Sequence, residues 1–128
     1  MTDFSRWGLT PFGPAPNARH MEWYRRGRTA FLHFTVNTFT DREWGDGTES
    51  PADFAPTALD CHQWTKVLKD AGFTAAILTA KHHDGFCLWH TKTTEHSVKN
   101  SPCGVDVVQE FTDACHEYGL KAGIYLSP

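Results

Sequence analysis

No stretch of this chain approaches the ~20 consecutive apolar residues that a membrane span needs, so a transmembrane protein is not expected. There is no Lys/Arg block either. Arg25, Arg26 and Arg28 form the one basic cluster, and the formal net charge is −3. A nucleic-acid partner needs a broader basic surface than that. No Cys-x-x-Cys pair occurs among the four cysteines, Cys61, Cys87, Cys103 and Cys115, which argues against a zinc ribbon or a redox motif. The first eight residues, Met1 to Gly8, lack the apolar core of a signal peptide. A cytoplasmic location follows as an expectation, and with it four reduced thiols in buried or half-buried positions. No Gly-x-Gly-x-x-Gly follows any candidate strand, so a dinucleotide fold lacks its main signal.

What remains is a chain of 128 residues, 40% hydrophobic and 21% charged, within the range of one globular domain. Residues 1–20, with Pro11, Pro14, Pro16, Gly8 and Gly13, read as an irregular lead-in. A turn or two of helix is expected from Met21 to Arg28. A first strand is expected over Thr29–Phe34. Residues 37–56 are polar and too long for an ordinary connector, and loops of that length tend to be functional. Asp60 is a plausible N-cap. Trp64, Val67, Leu68 and Ala71 then recur at helical spacing up to Gly72. Phe73–Ala80 reads as the second strand. Residues 85–102 read as a second long loop. Val107, Val108, Phe111, Ala114, Cys115 and Tyr118 mark a second helix, and Leu120–Leu126 a third strand.

The expected order is β-α-β-α-β. Helices between short apolar strands indicate parallel pairing, and both long loops leave the C-terminal ends of strands, where α/β proteins build their sites. Lys81-His82-His83-Asp84 stand between the second strand and this second loop, which opens on Gly85-Phe86. Side chains alternate along a strand, but the alternation relaxes at its end, so both imidazoles can face one cleft. Two imidazoles beside aromatic faces suit a neutral, hydroxyl-rich ligand such as a sugar. A metal site built on His82, His83, Asp84 and His33 is the competing chemistry. Adjacent ligands fit the spacing of barrel metal sites poorly, and no metal or cofactor is expected. Asp84, ahead of glycine, reads as a turn-capping aspartate. Trp23 and Trp64 read as packing residues, Trp89 as packing or a pocket wall, and Trp44, in a polar glycine-containing loop, as ligand-facing.

Phe31-Leu32-His33-Phe34, Asn37-Thr38-Phe39-Thr40, Glu43-Trp44-Gly45, the run Leu78 to Trp89, His96-Ser97-Val98, Asp106-Val107-Val108 and Gly119 to Pro128 together resemble the α-L-fucosidases of glycoside hydrolase family 29. The Asn-Thr-Phe-Thr and Glu-Trp-Gly forms look most like the branch that cleaves α-1,3 and α-1,4 linkages. The resemblance runs in order from about Pro16 to the last residue. Thr35, Thr94 and Val105 depart from it, standing where a glycine, a tyrosine and a glycine are usual.

The resemblance implies that residues 1–128 form a single partial catalytic-domain segment, the first three strands of a (β/α)₈-like (TIM) barrel. It implies a retaining hydrolase of terminal α-L-fucosyl linkages in oligosaccharides or glycoconjugates. It implies that His33, His82 and His83 hydrogen-bond ring hydroxyls, that Glu43 accepts from a hydroxyl, and that Trp44 and Tyr125 wall the sugar. The family's nucleophile and acid/base lie beyond the third strand, so no catalytic residue is assigned, and Glu43, Asp46, Glu49, Asp84 and Asp106 are the local carboxylates. The expected partners are L-fucose or a fucosylated glycan, together with a second copy or a complementary chain that covers the open sheet edges. The alternative reading is a non-catalytic fucose-binding or self-assembling truncated module.

Overall fold

The computed structural model describes residues 13–128. Part of the expected lead-in, residues 1–12, lies outside them. The remainder is shorter than expected, because helix α1 already runs over Ala18–Arg25. Asn17 starts it: the His20 backbone N–H donates to Asn17 Oδ1 at 3.0 Å, satisfying one of the amides that a helix start leaves free. None of the residues of α1 is buried, and Trp23 is 52% exposed rather than packed in a core.

Three strands follow, β1 (Arg28–Leu32), β2 (Phe73–Lys81) and β3 (Lys121–Leu126), in one parallel sheet ordered β1-β2-β3. Strand β1 stops short of the expected Phe34, so His33 and Phe34 belong to the loop after it. Between the strands lie α2 (Asn37–Thr40), α3 (Cys61–Asp70) and α4 (Val107–Glu117), with short 3₁₀ turns at Pro51–Asp53 and Val98–Asn100. Asp60 caps α3 by accepting from Gln63 N at 2.8 Å. Asp106 caps α4 by accepting from Gln109 N at 3.0 Å, and its other carboxylate oxygen accepts from His90 N at 2.9 Å. Among the described residues no helix is long and apolar enough to cross a membrane.

One sheet face carries the core. Ala76 and Leu78 of β2 pack with Val107, Phe111, Ala114 and Cys115 of α4, Cys61 of α3, and Val36, Phe54, Phe86, Leu88 and Val98 from the connecting segments. The long loop after β2 is therefore anchored, not free: Phe86, Leu88 and Val98 are fully buried. Leu88 N donates to Ala80 O at 2.9 Å, and Val98 N to Cys87 O at 2.9 Å. The buried stripe of α3 differs from the expected one. Cys61 and Thr65 are buried, Trp64 and Leu68 pack against the core, and Val67 is 54% exposed. Thr65 can take a core position because its hydroxyl donates to the Cys61 carbonyl at 2.9 Å, leaving no buried donor unpaired.

The four cysteines are free, and three of them are buried. Burial pushes the Cys61 thiol up to about 12 and that of Cys115 up to about 11, so both stay protonated and unreactive near neutral pH.

The opposite sheet face holds Phe31, Ile77 and Gly123 in one register layer, with Thr79 and Tyr125 in the next. Gly123 leaves space for its neighbour, since a Cβ there would stand 2.8 Å from Ile77 Cγ1. Phe31 remains 49% exposed on this face.

Candidate active site

The layered face leads upward to a cluster of rings. His33 follows the last residue of β1, His82 and His83 follow the last residue of β2, and Tyr125 sits near the end of β3. Three parallel strands thus deliver four ring side chains to one end of the sheet. The His33 and His82 centroids are 5.4 Å apart, and those of His82 and His83 4.5 Å. Tyr125 lies 6.4 Å from both His33 and His82. The adjacent imidazoles lie close together at the strand end, and of the two His82 lines the adjoining cavity while His83 does not.

Each imidazole is held differently. His33 Nδ1 lies 3.3 Å from the buried Thr79 hydroxyl. His83 Nδ1 lies 2.8 Å from the Ser127 hydroxyl, and Ser127 N donates to Lys81 O at 2.9 Å, which locks the end of β3 beside the histidines. His82 is buried, with 8% of its surface exposed, whereas His33 and His83 are exposed. Burial holds the His82 pKa below its ordinary value of 6.5. The neighbouring His83 and His33 act in the same direction, and Asp84 and Glu43 oppose them.

His82 is therefore a neutral imidazole near pH 7, able to donate from one ring nitrogen and accept at the other. A group whose native pKa is depressed binds its proton more readily in the unfolded chain. Its neutral form favours the fold above pH 6.5, and that stability is lost as the pH falls from 6.5 toward the native pKa. Imidazole NMR titration is expected to give His82 a midpoint below 6.5. A midpoint at or above that value contradicts the burial argument.

The loop after β1 supplies the other wall. It turns back at Asp41, whose φ of 54° is the left-handed conformation that aspartate tolerates better than most residues. Beyond it stand Glu43 and Trp44, both exposed, Trp44 at 68%. The Trp44 ring lies 6.4 Å from that of His83, nearly perpendicular to it. Between the walls is an open cavity of about 370 Å³, lined by His33, Thr35, Asn37, Thr38, Arg42, Glu43, Trp44 and His82. Small-molecule sites run from roughly 300 to 1,000 Å³.

Of the six residues singled out in the sequence, His33, Glu43, Trp44 and His82 line this cavity, while His83 and Tyr125 stand beside it through their contacts with His82. Trp89 does not line it. Sequence reasoning missed Thr35, Thr38, Arg42 and Asn37 as lining residues. Asn37-Thr38 was visible as part of a motif, but nothing in the spacing placed those side chains against the histidines. Asp84 behaves as the sequence suggested, its Oδ1 accepting from Phe86 N at 2.6 Å.

The chain can be set beside known proteins on this geometry. It matches the family described as alpha-L-fucosidase over residues 4–128. It is 48% identical to alpha-L-fucosidase 1 of Arabidopsis thaliana over 121 residues, covering 92% of this chain and 24% of that protein. The crystal structure of a glycoside hydrolase 29 family member from an unknown rumen bacterium superposes with a TM-score of 0.87 at 51% identity, covering 93% of this chain and 22% of that one. A Ruminococcus gnavus glycoside hydrolase 29 fucosidase, solved as a mutant in complex with fucose, gives 0.79 at 35% identity over 93% of this chain and 26% of that one. The chain spans about a quarter of the length of these relatives. A parallel three-stranded sheet that collects histidines at its C-terminal end, matched along nearly all its length, is that of a member of the α-L-fucosidase family.

Proposed function

We propose that the protein carrying this chain hydrolyses terminal α-L-fucosyl linkages in oligosaccharides or glycoconjugates with retention of configuration, and that residues 13–128 supply the half of the site that recognises fucose. The reading rests on one observation: imidazoles, a carboxylate and an exposed indole converge on a single cavity at the C-terminal ends of parallel strands. Imidazoles and Glu43 match the hydroxyls of a deoxy-sugar, and Trp44 and Tyr125 match its apolar face. In this reading the sheet forms the first three strands of a (β/α)₈-like barrel, and no cofactor takes part.

Retaining hydrolysis uses two carboxyl groups about 5–5.5 Å apart. Glu43 is the one carboxylate among the residues lining the cavity. Asp84 is engaged by Asn37 and by a backbone amide, and Glu49 by the amides of Asp46 and Gly47. The reacting pair is accordingly assigned to a complementary segment or a second copy, seated where, among the described residues, β1 and β3 leave their outer edges unpaired. The same count favours, as second reading, a module that binds fucose and does not cleave.

Calorimetric titration of the intact protein with L-fucose, paired with hydrolysis of 4-nitrophenyl α-L-fucoside, separates these. Binding with turnover is the expected result. Binding without turnover transfers the case to the recognition module, and neither binding nor turnover overturns both.

A further inference from the structure

Three buried polar side chains meet around one glycine, and the contacts between them serve neither the turn at Asp84 nor the cavity lining alone. Asn37, at the start of α2, is 6% exposed; Glu49, just before the 3₁₀ turn at Pro51–Asp53, is 8%; Asp84, just after the paired histidines, is 4%. Asn37 Nδ2 donates to Asp84 Oδ2 at 2.9 Å. Asp46 N and Gly47 N donate to the two oxygens of Glu49 at 3.0 and 2.9 Å, and Arg42 Nη1 lies 3.4 Å from the first. Burial alone would raise the Glu49 pKa; the backbone amides of Glu49, Asp46 and Gly47 together outweigh it and hold the carboxylate ionised.

Gly45 sits where these groups converge. A Cβ at this position would lie 2.5 Å from Glu49 Oε1, 2.7 Å from Asn37 Oδ1 and 2.7 Å from the Asp84 Cβ. Its φ is not positive, so the need is for space rather than for a turn. One residue away is Trp44, and two away is Glu43. On the other side Asp84 directly follows His83. Gly47 closes the same contact, since a Cβ there would stand 3.2 Å from the Asp84 carbonyl oxygen.

We propose that the Asn37–Asp84 hydrogen bond, with Glu49 and the space kept by Gly45, is a positioning clasp that sets the Glu43–Trp44 wall against the His82–His83 wall. Glu49, Asp84 and Gly45 stand behind the cavity lining, and Asn37 reaches the lining beside its bond to Asp84. The Asn37–Asp84 hydrogen bond joins the loop after β1 to the loop after β2, a carboxylate acceptor making it stronger than a neutral one, while Glu49 holds the turn at Asp46 and Gly47 and Gly45 leaves the space for the two loops to meet. The consequence for fucose rests on the recognition role proposed above; the geometric coupling does not.

The test uses Asn37→Asp, the reciprocal swap Asn37→Asp/Asp84→Asn, and Gly45→Ala in the intact protein. Asn37→Asp opposes two carboxylates across the 2.9 Å contact. It is expected to lower kcat/KM for 4-nitrophenyl α-L-fucoside, or L-fucose affinity, by about 10- to 100-fold. The swap restores one carboxylate and one amide, and keeps an acceptor for Phe86 N, so it is expected to recover most of that loss. A general loss of packing would show no such rescue. The imidazole proton shifts of His83, which report the nearby Trp44 ring, are expected to move in Asn37→Asp and Gly45→Ala and to return in the swap.

Should Asn37→Asp fail to fold, the swap and Gly45→Ala decide alone. A swap without recovery, or Gly45→Ala with wild-type ring shifts, overturns the clasp. If the wild type binds no fucose while the shifts follow this pattern, the clasp stands and the recognition role falls.

Discussion

Replacing His82 and His83 together by alanine is expected to weaken L-fucose binding by about a hundredfold or more. Each imidazole is proposed to hold a hydroxyl, and one such hydrogen bond is worth roughly tenfold in affinity, more where the site is shielded from water. His82, buried and neutral, carries the larger share; His83, exposed and braced by Ser127, carries the smaller. Because the rings stand 4.5 Å apart, the two single substitutions should not add independently. Calorimetry on both singles and the double gives the coupling. Affinity of the double within threefold of wild type, in a protein of unchanged melting temperature, ends the assignment of the imidazoles.

The second large effect is on stability. Phe54 is fully buried, and its ring centroid lies 5.3–5.5 Å from those of Phe39, Phe86 and Phe34. This aromatic knot ties the loop after β1 to the loop after β2 on the core side, beneath the polar clasp. Phe54→Ala removes the central ring and is expected to cost about 3–5 kcal/mol, a transfer term plus a cavity that the fixed neighbours cannot close. Against a typical domain stability of about 5–15 kcal/mol, that is a large share of the total. Urea denaturation of the intact protein measures it. A loss below about 1 kcal/mol would show that the loops hold their places without the knot. Phe54→Leu, which keeps most of the volume, should cost much less.

Much of the framework was readable beforehand, for local reasons. Asp60 stands ahead of an apolar run at helical spacing and caps the helix that follows it, whereas the matching cap by Asp106 came only with the structure. Phe73–Ala80 is a run of apolar residues broken only by two threonines between Gly72 and Lys81, and the strand observed over Phe73–Lys81 follows it. Elsewhere the local signal misled. Val67 fits the helical period and still faces outward, while Thr65 is buried because its hydroxyl can be satisfied within the helix. Trp23 has the bulk of a core residue but sits on a helix with none of its residues buried, its ring beneath the Arg26 guanidinium. The start of α1 was placed three residues late, because Asn17 as a cap carries little weight amid Pro14 and Pro16.

The site divides along the same line. The amino-acid sequence by itself determined the strand–helix order, the cap at Asp60 and the presence of paired imidazoles at a strand end, since each depends on residues within a few positions of one another. Only the tertiary structure decided that Asn37 reaches Asp84 across 47 positions, that Gly45 is needed for the space it leaves, and that Tyr125 stands beside His82. Those are contacts between segments whose meeting is fixed by sheet register and by the shared core beneath the loops. A periodicity reports which face a side chain takes, and carries no information about what packs against that face.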